Sequence, residues 1–400
     1  MTALILAGSG CDGTSDSQPS DTPLKIGLLL DFTGSPEASS DRKRAFDLAI
    51  RHINDGGGVL GMHVESVAAD ATRDPSTAVQ VARHLVEVEG VHAIVGPNAS
   101  SAALPVSQEV SASLGIPTIS PSATSPYLTD AEDEGYFFRT ALSDALQGPV
   151  LADLARDRGF TNVGLIYQDD AYGQGLADAF EKSWTGTLRS VSVAAGQTGY
   201  FPELAQSAEL GAQALIIIAF ESLALAILSQ AIEEGLYDQF VFGDASKRLS
   251  LVRQVGGDRL GGMYGTAGAS APDNDATAEW EAAFIAEYGE LPVLAYVKET
   301  YDATVALALA AQAAGTVEGA AIRDHLREIA TAPGRTVLST KGGVSEGLGQ
   351  LAKGRQINFD GAANALDWDA NGDLVRGHVG TWRFTADERI EELETVFVEN

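Results

Sequence analysis

VGPNASSAALPVSQEVSASLGIPTISPSATSPYLT, residues 95–129, contains two strand ends that each open into a turn of small, polar residues. The apolar run at 93–95 stops at Gly96-Pro97. Asn98, Ala99, Ser100 and Ser101 then precede a helix predicted over 102–113, with Ser100 or Ser101 at its N-cap. After Leu114-Gly115 the chain re-enters a strand at 116–119 and breaks again into Ser120-Pro121-Ser122-Ala123-Thr124-Ser125-Pro126. Neighbouring parallel strands that end this way put hydroxyls and unpaired backbone N–H groups around one crevice at the carboxyl edge of a sheet. That crevice suits an anion, most simply a carboxylate. Taken singly, each turn is also ordinary capping chemistry; two in succession favour a binding site.

Working outward, the same alternation runs in both directions. A strand at 24–30 ends in Asp31-Phe32-Thr33-Gly34, and a helix over 41–53 is stopped by Asp55-Gly56-Gly57-Gly58. A strand at 64–69 leads to Asp70, and Asp74 caps a helix over 75–88 that has proline in its first position. A short strand at 137–140 crosses into a second alternating unit. There Asp144 is the candidate cap of a helix over 146–158, and a strand at 163–167 opens into QDDAYGQG, residues 168–175. Further strands are predicted at 188–193, 214–220, 240–243 and 263–267, the last returning the chain to the first unit. Helices follow over 274–288, 293–314 and 317–329, and the last core strand over 381–384. Strands alternating with helices of about a dozen residues imply parallel sheets with helices on both faces. The fold class is therefore α/β, two Rossmann-like parallel-sheet lobes joined by a three-strand hinge. Residues 24–139 plus 269–365 form lobe 1, and 140–268 plus 366–400 form lobe 2. A cleft between such lobes is a place to enclose a ligand.

Composition and motifs narrow the function class. Twenty-six Lys plus Arg against 55 Asp plus Glu give a formal charge of −29, which argues against a nucleic-acid or anionic-membrane partner. The six histidines show no metal-ligand spacing. Gly343-Val344-Ser345-Glu346-Gly347 fits G-x-S-x-G but lacks the strand-then-helix frame of a nucleophile elbow, and reads as a flexible loop. Gly173-Gln174-Gly175 has Asp178 where a dinucleotide turn needs a third small residue. Asp367-Trp368-Asp369-Ala370-Asn371-Gly372 begins like a calcium loop, yet His378 stands at its twelfth position, so a β-turn is the preferred reading. No enzyme, cofactor or metal is expected from this set.

"IVGPNASSAALPVSQ", "IPTISPSATSPYLT", "INDGGGVLG", "DPSTAVQVA" and "INFDGAANALDWDANGDL" together resemble the type I periplasmic binding proteins, specifically the branched-chain amino-acid receptors of ABC importers, over residues 25–384. The resemblance implies an extracytoplasmic protein that captures an amino acid, branched-chain or related, between two lobes and delivers it to ABC permease subunits. On the matching positions, Ser100 with its neighbour Ser101, joined by Ser122, Ala123 and Thr124, would hold the ligand carboxylate. Tyr172 would close over the ligand from the second lobe, Asp244 (or, one position on, Ala245) would face the ammonium, and Phe220 and Tyr296 would line the side-chain pocket. Ser39 and Ser40 depart from a Tyr-Gly pair common in relatives. Residues 1–11, an apolar run then Gly8, Ser9, Gly10 and Cys11, resemble the end of a lipoprotein signal, with Cys11 lipidated and 12–23 a flexible tether. A membrane contact would then be through that lipid only. A sensor of the same fold, reading an amide, urea or amino acid for a protein partner, is the alternative.

Overall fold

The computed structural model describes residues 22–272, 274–292, 294–331 and 333–400. The Cys11 anchor and most of the 12–23 tether lie outside the described residues. Strands β1 (Lys25–Leu30), β2 (Glu65–Asp70), β3 (Ala93–Val95), β4 (Thr118–Ser120) and β5 (Phe137–Arg139) form an all-parallel sheet in the order β2-β1-β3-β4-β5. A second sheet has the order β14-β13-β10-β9-β8-β6-β7. It comprises β6 (Asn162–Gln168), β7 (Thr187–Val193), β8 (Ala214–Ile218), β9 (Phe240–Phe242), β10 (Tyr264–Ala269), β13 (Arg376–Phe384) and β14 (Ile390–Glu399). Its strands β6 to β10 are parallel, while β13 and β14 are antiparallel additions. Between them in the chain, β11 (Arg335–Leu338) and β12 (Ile357–Asp360) make a small parallel pair.

The strands nearest each sheet's centre read as unbroken apolar runs because helices cover both faces: GLLL in β1 and ALIII in β8 are buried throughout. The Ala-rich helix Val297–Ala314 is enclosed over nearly its whole length and packs on the helix Pro36–Asp55. Such all-round apolarity marks a core helix. Strand ends then meet their turns by defined chemistry. Asp74 takes the Thr77 N–H at 2.8 Å as an N-cap, with Pro75 next, and Asp170 takes the Gly173 N–H at 2.8 Å. Gly96 sits at φ +118°, where an added Cβ would lie 1.9 Å from the Leu29 carbonyl oxygen, so only glycine lets β3 turn against β1.

Several expectations are corrected. Ala99, not Ser100 or Ser101, is the N-cap of the helix Ser100–Val106, and that helix passes into a π-helical segment, Ser107–Ala112, just after Pro105. A proline inside a helix removes one N–H from the ladder, and a widened turn accommodates the loss. Ser143, accepting from the Ala145 N–H at 3.3 Å, caps the helix Asp144–Asp157 in place of Asp144. Strand β10 belongs to the second sheet, so the chain returns to the first lobe only after it. Ser345 lies exposed within the helix Lys341–Leu351 rather than in a loop; this helix follows β11, but the serine is well inside it and not at the turn an elbow requires. The chain also continues past β13 into β14, which the sequence reading did not include.

Candidate functional site

The two serine-bearing turns after β3 and β4 are stitched to one another. Ser120 Oγ donates to the Pro97 carbonyl at 2.5 Å and accepts the Ala123 N–H at 3.0 Å. Ser122 Oγ donates to the Asn98 carbonyl at 3.0 Å, and the Ser125 N–H donates to Ser100 Oγ at 3.2 Å. Ser100 is thereby fixed as an acceptor and keeps its own proton free to donate into the cleft. Asn98 is fixed in turn, since its Oδ1 accepts the Asp31 N–H at 2.6 Å.

The second lobe contributes a carboxylate at the end of β9. Asp244, 5% exposed, follows Gly243, where an added Cβ would meet the Tyr172 hydroxyl at 3.0 Å. Tyr172 donates its hydroxyl to one Asp244 oxygen at 2.7 Å and Tyr296 donates to the other at 2.8 Å. Tyr296 reaches this position from the first residue before the helix Val297–Ala314, held at φ +70°. Burial, reinforced by the neighbouring Asp244 charge, pushes both phenols well above their ordinary pKa, so each stays a hydrogen-bond donor. A carboxylate has about four lone-pair positions; Gln147 Nε2 also reaches the Tyr172-bonded oxygen at 3.5 Å, so the remaining place for a ligand donor is on the oxygen held by Tyr296. Behind it, burial and then the Asp244 charge raise the Asp144 carboxyl well above the usual carboxylate range.

These groups face a small cavity between the lobes, lined by Ser100, Ser122, Tyr172, Phe220, Asp244 and Tyr296 among the residues expected from the sequence. Phe220 lies with its ring centroid 5.1 Å from that of Tyr172, and its other neighbour is Arg73, whose guanidinium stands 3.9 Å over the ring. Ser101, Ala123 and Thr124 do not line the cavity. Ala123 packs into the apolar cluster with Ala103, Leu128 and Phe137. Thr124 is buried with a hydroxyl that makes no bond of regular geometry and lies near Asp144.

The sequence reading missed Ser35, Arg42, Asn98, Arg248 and Ala295, all of which line the cavity; Ala245, the alternative to Asp244, lines it as well. Arg42 carried a legible signal. It lies at helical spacing from Ala38, Ala45, Phe46 and Ala49, on the face of its helix that is otherwise apolar and buried. Ser39 turns away from the cavity and donates to the Asp31 carbonyl at 2.6 Å. Among the described residues no cluster of His, Cys, Asp and Glu is arranged to hold a metal, and no single helix is long and apolar enough to cross a membrane.

The comparisons with known proteins agree with this architecture. The chain is 30% identical over 322 residues to the Leu/Ile/Val-binding protein homolog 1 of Brucella abortus, covering 78% of this chain and 84% of the relative. It is 25% identical over 368 residues to the chemotactic signal transduction system substrate-binding protein BasB of Halobacterium salinarum, covering 89% and 86%. The crystal structure of the branched-chain amino acid transporter substrate binding protein LivJ from Streptococcus pneumoniae, in complex with isoleucine, superposes with a TM-score of 0.76 at 23% identity over 95% of this chain and all of that one. Residues 23–351 match the periplasmic binding protein family, and with two α/β lobes closing on a shared cavity the chain is a member of that family.

Proposed function

We propose that this protein captures an α-amino acid in the interlobe cavity and delivers it to an ABC importer. The observation that carries the reading is the opposition across one cavity of the serine turns of the first lobe, where Ser100 keeps a free hydroxyl proton, to the Asp244 carboxylate in the second. A zwitterion matches that polarity end for end, and a buried ammonium without a carboxylate would cost several kcal/mol. The ligand is bound and released without a bond being made or broken. Under this reading residues 24–139 plus 269–365 move as one lobe and 140–268 plus 366–400 as the other, and Cys11 carries a lipid that tethers the body at the extracytoplasmic face.

The test is calorimetric titration with the common amino acids. One or more should bind, and Asp244→Asn should lower that affinity about 100-fold, as expected when a buried charge loses its partner. Unchanged affinity in the variant would place the ammonium elsewhere. A second reading, a sensor that hands its liganded state to a signalling partner, draws support from the similarity to BasB. Co-purification with permease subunits favours delivery, and with a transducer favours the sensor.

A further inference from the structure

Two guanidinium groups enter the same cavity from opposite lobes, Arg42 from the helix Pro36–Asp55 and Arg248 from just beyond the Asp244 turn. Arg42 is 4% exposed; among the described residues its buried Nε has no hydrogen-bond partner, and its Nη2 bonds the Ala295 carbonyl at 3.3 Å. Arg248 bonds from Nη1 to the Lys247 carbonyl at 3.0 Å. Among the described residues neither has a carboxylate within ion-pair distance, unlike Arg73 nearby, which is paired with Asp31 at 2.8 Å. The carboxylates closest in effect, Asp244 and Glu299, act on Arg42 through space, and Asp244 is already held by two tyrosines. Burial, and then repulsion from Arg248, lowers the Arg42 pKa to about 10, the mark of a cation enclosed without an anion.

The charges on the cavity wall therefore do not balance for a neutral amino acid. Arg42 and Arg248 are positive and Asp244 negative, which leaves one positive charge over when a zwitterion enters. An apolar branched side chain would also leave the Arg42 donors buried and unsatisfied, at a cost each donor repeats. Guanidinium forks match carboxylates in geometry as well as in charge.

We infer that the ligand is an α-amino acid with an acidic side chain, whose second carboxylate is held between Arg42 and Arg248 while its α-carboxylate sits on the Ser100 and Ser122 turns and its ammonium on Asp244. This rests on the amino-acid reading above and narrows it to one substrate class.

The experiment is titration of the full chain with glutamate, aspartate, glutamine, asparagine, leucine, isoleucine and valine, repeated on Arg42→Gln and Arg248→Gln. Glutamate or aspartate should bind about 100-fold tighter than its amide, and either variant should erase most of that preference, the acid losing far more affinity than its amide. If Arg42→Gln fails to fold, Arg248→Gln, at a partly exposed position, carries the same comparison. Tighter binding of leucine, isoleucine, valine or an amide by the unaltered protein overturns the inference and leaves the amino-acid reading intact. Binding of no amino acid at all overturns that reading, and the inference with it.

Discussion

His52 shows how one buried side chain ties stability to acidity. It is 7% exposed, and its Nδ1 lies 2.7 Å from the Tyr301 hydroxyl. Burial, with Lys341 and Arg51 adding repulsion, lowers its pKa from 6.5 to about 4. Protonation thus favours the unfolded chain, so its contribution is intact above pH 6.5 and is lost as the pH falls toward 4. Denaturant unfolding across that range should show a loss on the order of 2 kcal/mol that His52→Gln removes, the remaining acid dependence being unchanged. At this scale the polar site was partly legible. Ser100, Tyr172 and Asp244 stand in turns whose composition announces them, and all three reach the cavity. Arg42 was missed although its place on an otherwise apolar helix face marks it, and Arg248 was missed because a long cation in a mixed turn looks like a solvated side chain until its burial is known.

At the scale of elements, the β3 turn depends on a single position. Gly96→Ala must both hold φ +118° and displace the Leu29 carbonyl from within 1.9 Å of its Cβ. A loss of about 3 kcal/mol in chemical unfolding is expected, together with weakened ligand binding, since Ser100 follows four residues later. The elements read well from sequence were those with period and caps in agreement, such as the helix Pro75–Glu87 behind Asp74. The helix Lys341–Leu351 was hidden by its glycines, which carry poor intrinsic propensity. Tertiary packing decides there: Gly347 lies against Leu309 and Val337, where an added Cβ would come within 3.0 and 3.1 Å, and Val344 and Leu348 are buried beside it. Strand β14 was hidden for the opposite reason, being exposed along nearly all its length, so no alternation marks an inward face.

At the scale of the whole molecule, specific contacts join the lobes beside the cavity. On the side of the serine turns, Ser125 Oγ donates to the Ala171 carbonyl at 2.7 Å and the Tyr127 hydroxyl to Asp178 at 2.6 Å. Across the cavity, Arg73 is anchored in lobe 1 by Asp31 and Ser35 and lies over Phe220 of lobe 2. That contact exists only when the lobes are together. Arg73→Gln should therefore reduce ligand affinity about 5-fold, the worth of a partly desolvated cation on an aromatic face, and small-angle scattering of the variant should show a more extended ligand-free particle. The α/β alternation foretold two lobes, whereas the antiparallel additions β13 and β14 follow from long-range pairing that local pattern does not encode.

The stitched serine turns complete one half of the grip before any cargo arrives, because the hydrogen bonds that join the two turns to each other lie within a single lobe. Arrival and retention are then separate events in time. Any amino acid can alight on that ready-made ledge at a similar speed, and the molecules that fail to satisfy the opposite lobe leave sooner. Discrimination among solutes would thus be written in how long each one stays.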